Sequence, residues 1–451
     1  MGDITKKAVN FHSSGNIAEA ENFYLEVLKK DPNNINVLYN LGLVYYEKRD
    51  YKNEIKVLER AAQLSDSDYE IYFMLGLAYK NIFEFEKAER AYLRAIALEP
   101  ENSKTYYNLA IVYLSLNQPE KAIENFKICI DKNPDDIEAK YFLGLAYFRC
   151  KEYKKGEKFF DSRLCRDTAI KTQFAVYPNI MQRAKLWQGE DISDKTLYTY
   201  YEAGFGDMIM FARYLPELRK RCKRLIVKPQ RELYQLFKDN FPDIEFMDFF
   251  SEEKFTCFDY HIPFLSIPSV LDFNDEKTFI GHEGYLKATK EKIEYFKNKY
   301  FDNDKFKIAI KWQGNTYYET DRVIDVDAFA PLFDIPNAKI YSAQTFEGLE
   351  NLKILSDKYD ITDLSSDFKD FSYTAGALAN VDLVISSDSS LAHVAGAMGI
   401  PCIILLPYNY NWRWHMDLSK CDWYDSVKLY RLGKTQTWSE LIKEITKQYF
   451  N

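Results

Sequence analysis

Two segments of the chain carry side chains in patterns suited to an anionic ligand. The first is Glu202-Ala203-Gly204-Phe205-Gly206-Asp207. It follows an apolar run and opens a helical pattern. Gly204 and Gly206 allow a tight turn and close approach of a ligand to backbone, and a helix start favours negative charge. Asp207 lies in that first helical turn, where an acid also stabilises the helix without any ligand. A dinucleotide fingerprint would need G-x-G-x-x-G and an acidic residue ending the next strand. Position 209 is Ile and the next strand ends Val227-Lys228-Pro229, so NAD binding is disfavoured. The second segment runs from Ser386 through Ser387, Asp388, Ser389, Ser390, Leu391, Ala392 and His393 to Pro401. An apolar strand leads into hydroxyl residues and then into an Ala/Gly-rich helix. The Ser389 and Ser390 amides at that helix start suit a diphosphate. N-capping by Asp388 or Ser389 is the ligand-free reading, and the two are compatible. His393 on its small-residue helix serves equally as a packed core residue or as a nucleotide contact. Asp325-Val326-Asp327 mimics the D-x-D metal motif but follows a basic turn rather than a strand, so helix capping is the better reading. His12, His261, His282, His393 and His415 do not pair at metal-ligand spacing. No metal and no cofactor are therefore expected.

The elements around these segments read as alternating strand and helix. Candidate strands are 196–201, 224–228, 244–247, 307–312, 339–342, 382–386 and 402–406, with helices over 207–219, 230–240 and 391–398. This alternation means parallel sheets with helices on both faces. The polar stretch 290–305 divides an α/β unit, 169–300, from another, 301–451. Two Rossmann-like domains facing each other describe the GT-B architecture, and where a chain resembles enzymes of that architecture the second domain is the expected nucleotide-sugar side and the first the acceptor side. The stretch 437–449, with Trp438, Leu441, Ile442 and Ile445 at helical spacing, is expected to cross back to the first domain.

The first third repeats with a period of 34. Leu41, Leu75, Leu109 and Leu143 form one column, and Gly42, Gly76, Ala110 and Gly144 the next. Ala20, Ala88, Ala122 and Gly156 form another, with Glu54 as its exception, followed four residues on by Tyr24, Leu58, Tyr92, Phe126 and Phe160. Small residues let paired helices approach and the larger column fills the space beside them. This is the tetratricopeptide (TPR) pattern, an α superhelix of about five helix pairs over residues 1–168. Such stacks bind a partner chain on a curved inner face. Asn40 and Asn108 lie at an inner-face position where asparagines of TPR-bearing protein O-linked N-acetylglucosamine transferases hold the acceptor backbone. A solvent-facing role is the simpler reading of both.

Composition bounds the rest. The formal charge of −8 argues against a general nucleic-acid surface. No apolar run reaches the ~18 residues of a membrane helix, and the N-terminus lacks an apolar signal core. Seven scattered cysteines without C-x-x-C read as reduced thiols, which points to the cytoplasm.

The Ser386–Pro401 stretch resembles the D-[ST]-x-x-x-H-x-A-x-A-x-G-x-P signature of the ADP-heptose lipopolysaccharide heptosyltransferases and their TPR-fused relatives. The run from Glu202 to Pro216, Lys311-Trp312-Gln313-Gly314-Asn315, Asp321-Arg322, and Pro407 through Trp412-Arg413-Trp414 resemble the same proteins in the same order. The resemblance implies that Asp207 is the general base on the acceptor hydroxyl. It implies that Asp388, Ser389, Ser390, Leu391 and His393 form the nucleotide-diphosphate loop. It places Lys311, Asn315 and Arg322 near the donor phosphates and sugar, where positive charge stabilises the leaving group without metal. Trp412, Arg413 and Trp414 are a candidate lid. Relatives often read D-R-x-R-S, whereas Asp321-Arg322-Val323-Ile324-Asp325 lacks the second arginine, and Ala203 replaces a frequent Gln. The implied protein is an inverting, metal-independent glycosyltransferase acting on a protein chosen by its TPR arm, with flagellin one candidate acceptor. A lipid-linked saccharide acceptor and a non-catalytic TPR adaptor are the alternatives. ADP-, UDP- and GDP-linked donors all stay open.

Overall fold

The computed structural model describes residues 2–166, 184–248, 257–272, 279–314, 322–416 and 420–450. The chain divides into two compact units, Met1–Cys150 and Lys151–Asn451. The expected boundary at 168/169 falls outside the described residues.

The first unit holds α1 (Gly2–Ser13), α2 (Ile17–Lys30), α3 (Ile35–Glu47), α4 (Tyr51–Leu64), α5 (Tyr69–Asn81), α6 (Phe85–Leu98), α7 (Ser103–Ser115), α8 (Pro119–Lys132) and α9 (Ile137–Arg149). The period is visible in the caps. Asn34, Asp68, Asn102 and Asp136 each accept a backbone N–H at the start of the next helix, a bond worth about 0.5–2 kcal/mol. It is visible in the turns as well. Gly15, Arg49, Phe83 and Asn117 all take left-handed φ between paired helices. Close helix approach explains the small-residue column, since a Cβ on Gly76 would sit 2.5 Å from the Tyr92 ring. The second helix of the fifth pair, α10 (Tyr153–Phe160), is short and counts with the second unit.

Glu54, the exception in the small-residue column, is fully buried, and neither carboxyl oxygen has a hydrogen-bond partner among the described residues. Burial pushes it up from 4.5 to about 8. The folded arm therefore keeps the proton to about pH 8, while the unfolded chain loses it above 4.5. Stability falls as pH rises across that window and is flat above it. Glu54→Met keeps the volume and removes the charge. Thermal unfolding is expected to show no gain near pH 4.5 and a gain on the order of 3–5 kcal/mol at pH 8. A pH-independent difference would show that Glu54 ionises freely in the folded arm.

The second unit contains two parallel sheets. In the first, β1 (Lys185–Leu186), β2 (Ile192–Tyr200), β3 (Cys222–Lys228), β4 (Glu245–Phe246) and β5 (Tyr260–Pro263) lie in the order β1-β5-β2-β3-β4. In the second, β6 (Phe306–Lys311), β7 (Ala338–Ser342), β8 (Ile361–Asp363), β9 (Leu383–Ser387), β10 (Cys402–Leu406) and β11 (Val427–Arg431) lie in the order β11-β10-β9-β6-β7-β8. The strand order reverses between β5 and β2 in one sheet and between β9 and β6 in the other. Crevices at the carboxyl ends of such points are where open parallel sheets bind ligands. The expected helix over 207–219 is interrupted: Phe205–Phe211 and Leu215–Arg221 are joined by a 3-10 turn, because Pro216 cannot continue the ladder.

The terminal helix, Trp438–Phe450, does not cross back as expected. Leu441, Ile442 and Ile445 are buried in the core of the second sheet with Ile308, Ile310, Phe329 and Leu332. The helix lies on the segments Val326–Phe329 and Ala330–Phe333. Its apolar stripe is matched where it stands, which removes the reason to cross.

Candidate functional site

At the carboxyl end of β2 the backbone turns sharply. Ala203 takes φ 61, a left-handed conformation costing about 1–3 kcal/mol for a non-glycine residue. Gln230 donates to the Ala203 carbonyl at 3.2 Å. Glu202, buried beside it, accepts from Arg163 at 2.7 and 3.2 Å and from the Leu265 amide at 2.8 Å. The turn is thereby fixed to the 3-10 turn that follows β5 and to the 3-10 segment after α10. Asp207 follows in the first turn of Phe205–Phe211, where Oδ2 accepts the Gly204 amide at 3.2 Å. Its other oxygen, Oδ1, is ion-paired with Arg413 Nη2, although the two residues stand 206 positions apart.

On the second sheet, Lys311 and Ser386 are register partners at the carboxyl ends of β6 and β9. The loop between β9 and the helix Ser390–Ala397 is held from within. Ser386 Oγ and Ser389 Oγ lie 2.9 Å apart, and Ser386 Oγ also donates to the Ser387 carbonyl. Neither anticipated side-chain cap forms at Ser389, so the helix start carries no capping hydroxyl or carboxylate. Ser387 Oγ is buried without a hydrogen-bond partner among the described residues. Asp388 instead pairs with Arg322, whose Nη2 lies 3.6 Å from Oδ2 and whose Nη1 reaches the Asp388 carbonyl at 3.4 Å. Leu391 is buried as core. Asn315 lies outside the described residues.

Lys311 is the unusual member. Its side chain is buried, and among the described residues its ammonium is bonded by the Thr345 hydroxyl at 3.0 Å and by no carboxylate. Burial pushes it down from 10.5 to about 8. A buried cation left in this state is expensive until an anion arrives.

His393 joins the two sheets' segments. The helix Phe205–Phe211 lies against Ser390–Ala397, and a Cβ on Gly206 would fall 2.7 Å from His393 Cδ2. Gly206 is therefore needed for helix approach rather than for a ligand. The His393 ring is buried, with Nδ1 3.0 Å from the Tyr424 hydroxyl and its face on Trp414 at 5.2 Å. Burial, helped by Arg213 and Arg322, pushes it down to about 3. It is a neutral packing ring, not an exposed ligand contact.

The lid expected from Trp412, Arg413 and Trp414 is corrected in the same way. Trp412 and Trp414 are 8% and 0% exposed, which leaves no indole face for a base. They are fixtures that aim the residue between them. Arg413 lies over the Trp412 ring, Asn411 Oδ1 accepts from its Nη1 at 2.5 Å, and its carbonyl accepts the Trp423 indole N–H at 2.7 Å. His415 ends this turn at φ 42, fully buried, 2.7 Å from the Tyr153 hydroxyl and 3.1 Å from Asp422. Asp207 is thus paired with Arg413 and Asp388 with Arg322, His393 packs between the Gly206 turn and Trp414, and Lys311 stands on the strand beside β9.

Other anticipated residues are placed differently. Asp325 caps the 3-10 turn Val326–Phe329, as expected, and Asp327 pairs with Lys358 at 2.7 Å. Asn40 bonds back to the Asn36 carbonyl at 2.8 Å. Asn108 is buried, and its amide is engaged by the Lys104 carbonyl and by Lys80 Nζ. Sequence reasoning missed Thr345, Gln344 and Tyr424, none of which stands in a recognisable motif. Among the described residues, no helix is long and apolar enough to cross a membrane.

Comparison with known proteins identifies the first unit. Residues 10–48, 35–68, 69–102 and 91–124 each match models of the tetratricopeptide repeat. The arm is a TPR solenoid. Protein FlbA of Caulobacter vibrioides is 22% identical over 283 residues, covering 56% of this chain and 46% of that protein. The chain thus spans about half the length of this relative. A crystal structure of MamA is 33% identical over 35% of this chain and 92% of its own, with a TM-score of 0.34. MamA from Desulfovibrio magneticus RS-1 is 22% identical over 38% of this chain and 99% of its own, with a TM-score of 0.35.

Proposed function

We propose that the second unit is a GT-B glycosyltransferase, inverting and metal-independent, and that the TPR arm selects a protein acceptor. The observation that carries this reading is Lys311. An ammonium that is buried and has no carboxylate partner among the described residues stands at the reversal of strand order, one strand from a helix start without a side-chain cap. That combination suits a diphosphate. The order β11-β10-β9-β6-β7-β8 is the doubly wound order of nucleotide-binding sheets, and the first sheet has a reversal of its own.

In the proposed reaction the acceptor hydroxyl attacks the anomeric carbon and its proton passes to Asp207. The bond from that carbon to the donor's phosphate oxygen breaks, and the nucleoside diphosphate leaves with the electron pair. Lys311, Arg322 and the Ser389 and Ser390 amides stabilise the charge that develops on it. Arg413, paired with Asp207 Oδ1, orients the carboxylate. TPR arms bind protein chains, so a protein acceptor is favoured, and flagellin is the candidate that the resemblance supplies.

The test is a thermal-unfolding series with ADP, UDP and GDP in EDTA. A matching nucleotide at 100 times its Kd is expected to stabilise by about 2.7 kcal/mol. A shift that appears only with Mn²⁺ or Mg²⁺ would overturn the metal-free reading. Removing Met1–Cys150 is expected to keep the nucleotide shift and abolish transfer to protein. Undiminished transfer by the shortened chain would overturn acceptor selection by the arm.

A further inference from the structure

Phe83 and Phe346 are the most exposed large apolar side chains among the described residues, at 75% and 81%, and both take left-handed φ. The repeat explains Phe83, because its position is left-handed in the turn within each helix pair of the arm. Nothing in the fold explains Phe346. Holding a bulky residue at φ 56 is unfavourable, and so is presenting its ring to water.

The loop that does this, after β7, is firmly built. Gln344 is fully buried, and its Oε1 accepts the Trp312 and Gln313 amides at 3.1 and 3.2 Å. Its Nε2 donates to the carbonyls of Gln313 and Glu347 at 3.1 and 2.6 Å. The Trp312 indole N–H donates to the Gly348 carbonyl at 2.9 Å. Gly348 is itself left-handed, and a Cβ there would meet Gln313 at 2.5 Å. The loop is therefore tied on both sides of Phe346 to the segment that follows Lys311. Thr345, the residue before Phe346, bonds the Lys311 ammonium.

We infer that Phe346 is the platform on which the donor's nucleobase stacks. The inference rests on the donor-site reading above, which puts the diphosphate at Lys311. The base of a nucleotide so held leaves the phosphates along the carboxyl edge of the sheet, where Phe346 offers a fixed aromatic face. Stacking on such a face tolerates any base, and the missing hydrogen-bonding side chain on the ring fits a contact that adds affinity rather than base choice.

The test is calorimetric titration of the full chain with ADP, CDP, GDP and UDP, and with inorganic pyrophosphate. Phe346→Ala and Phe346→Gly are expected to weaken nucleoside diphosphates by about ten-fold or more and to leave pyrophosphate unchanged, while Phe346→Trp keeps nucleotide affinity. The glycine variant also relieves the left-handed backbone, so a loss of affinity in it is not a loss of folding. Wild-type nucleotide affinity in the alanine and glycine variants would overturn the stacking role and leave the donor site standing. An equal loss for pyrophosphate would overturn it too, by showing a distorted loop. If the wild-type chain binds neither pyrophosphate nor any nucleotide, the donor-site reading fails and the stacking role with it.

Discussion

Replacing Asp207 by Asn is expected to lower the rate of sugar transfer by about 10²–10⁴-fold while nucleotide affinity stays unchanged. The amide keeps the shape of the carboxylate, and its oxygen can still accept the Gly204 amide, but it cannot take the acceptor's proton. The same substitution leaves Arg413 facing a neutral group. Breaking a largely buried pair from one side is destabilising, so a drop in the thermal midpoint is expected alongside the kinetic loss. Arg413→Met separates the two effects. It breaks the same pair and leaves the base, so it should lower stability comparably while retaining more of the rate. Initial rates with labelled donor, read beside thermal unfolding of both variants, decide the matter. Near wild-type turnover in the asparagine variant would remove Asp207 from the mechanism.

Lys311→Met is expected to move binding and stability in opposite directions. Losing a charged hydrogen-bond donor to phosphate costs about 1.5–3 kcal/mol, or roughly 10–150-fold in nucleotide affinity. Without ligand the variant should be the more stable protein. The folded chain holds the lysine's proton only below about 8, whereas the unfolded chain holds it to 10.5. Below pH 8 the burden on the wild-type fold is then about 3 kcal/mol. It shrinks as pH rises from 8 to 10.5 and is gone above that. The methionine variant lacks this slope. Thermal midpoints at pH 7 and pH 10 measure it, and equal slopes in the two proteins would mean that the ammonium is solvated where it stands.

The legible parts of the fold are those whose signal is local. Cys402–Leu406 is a run of apolar residues at a buried sheet centre, and β10 begins and ends on those residues. The repeat columns dictate both caps and turns, so helix pairs are readable to within a residue or two. Strands β1, β5, β8 and β11 escape for stated reasons, β1 because it is two residues long. Tyr260-His261-Ile262-Pro263 is four residues long with a proline, and Ile361-Thr362-Asp363 is shorter still. Val427-Lys428-Leu429-Tyr430-Arg431 starts with the alternation of an edge strand, a pattern that could have revealed it. The site is less legible because its decisive contacts are remote. Asp207 and the Asp388 loop announce themselves by motif. That Trp412 and Trp414 are buried wedges, and that Arg413 reaches Asp207, depends on how two sheets pack, which no local period encodes.

The 206-residue interval between Asp207 and Arg413 also sets a clock during synthesis. At about 5–20 residues per second, roughly 10–40 s pass between the emergence of one partner and that of the other. For that time the nascent chain carries the acid without its arginine. The TPR arm, the first sheet and nearly all of the second can form before that pair closes. A chain released early, before the turn Trp412–Trp414 is made, holds a complete TPR arm and a centre in which Asp207 lacks its arginine. If the arm selects the acceptor as proposed, such truncated products are expected to compete with longer chains for that partner without carrying the Asp207–Arg413 pair.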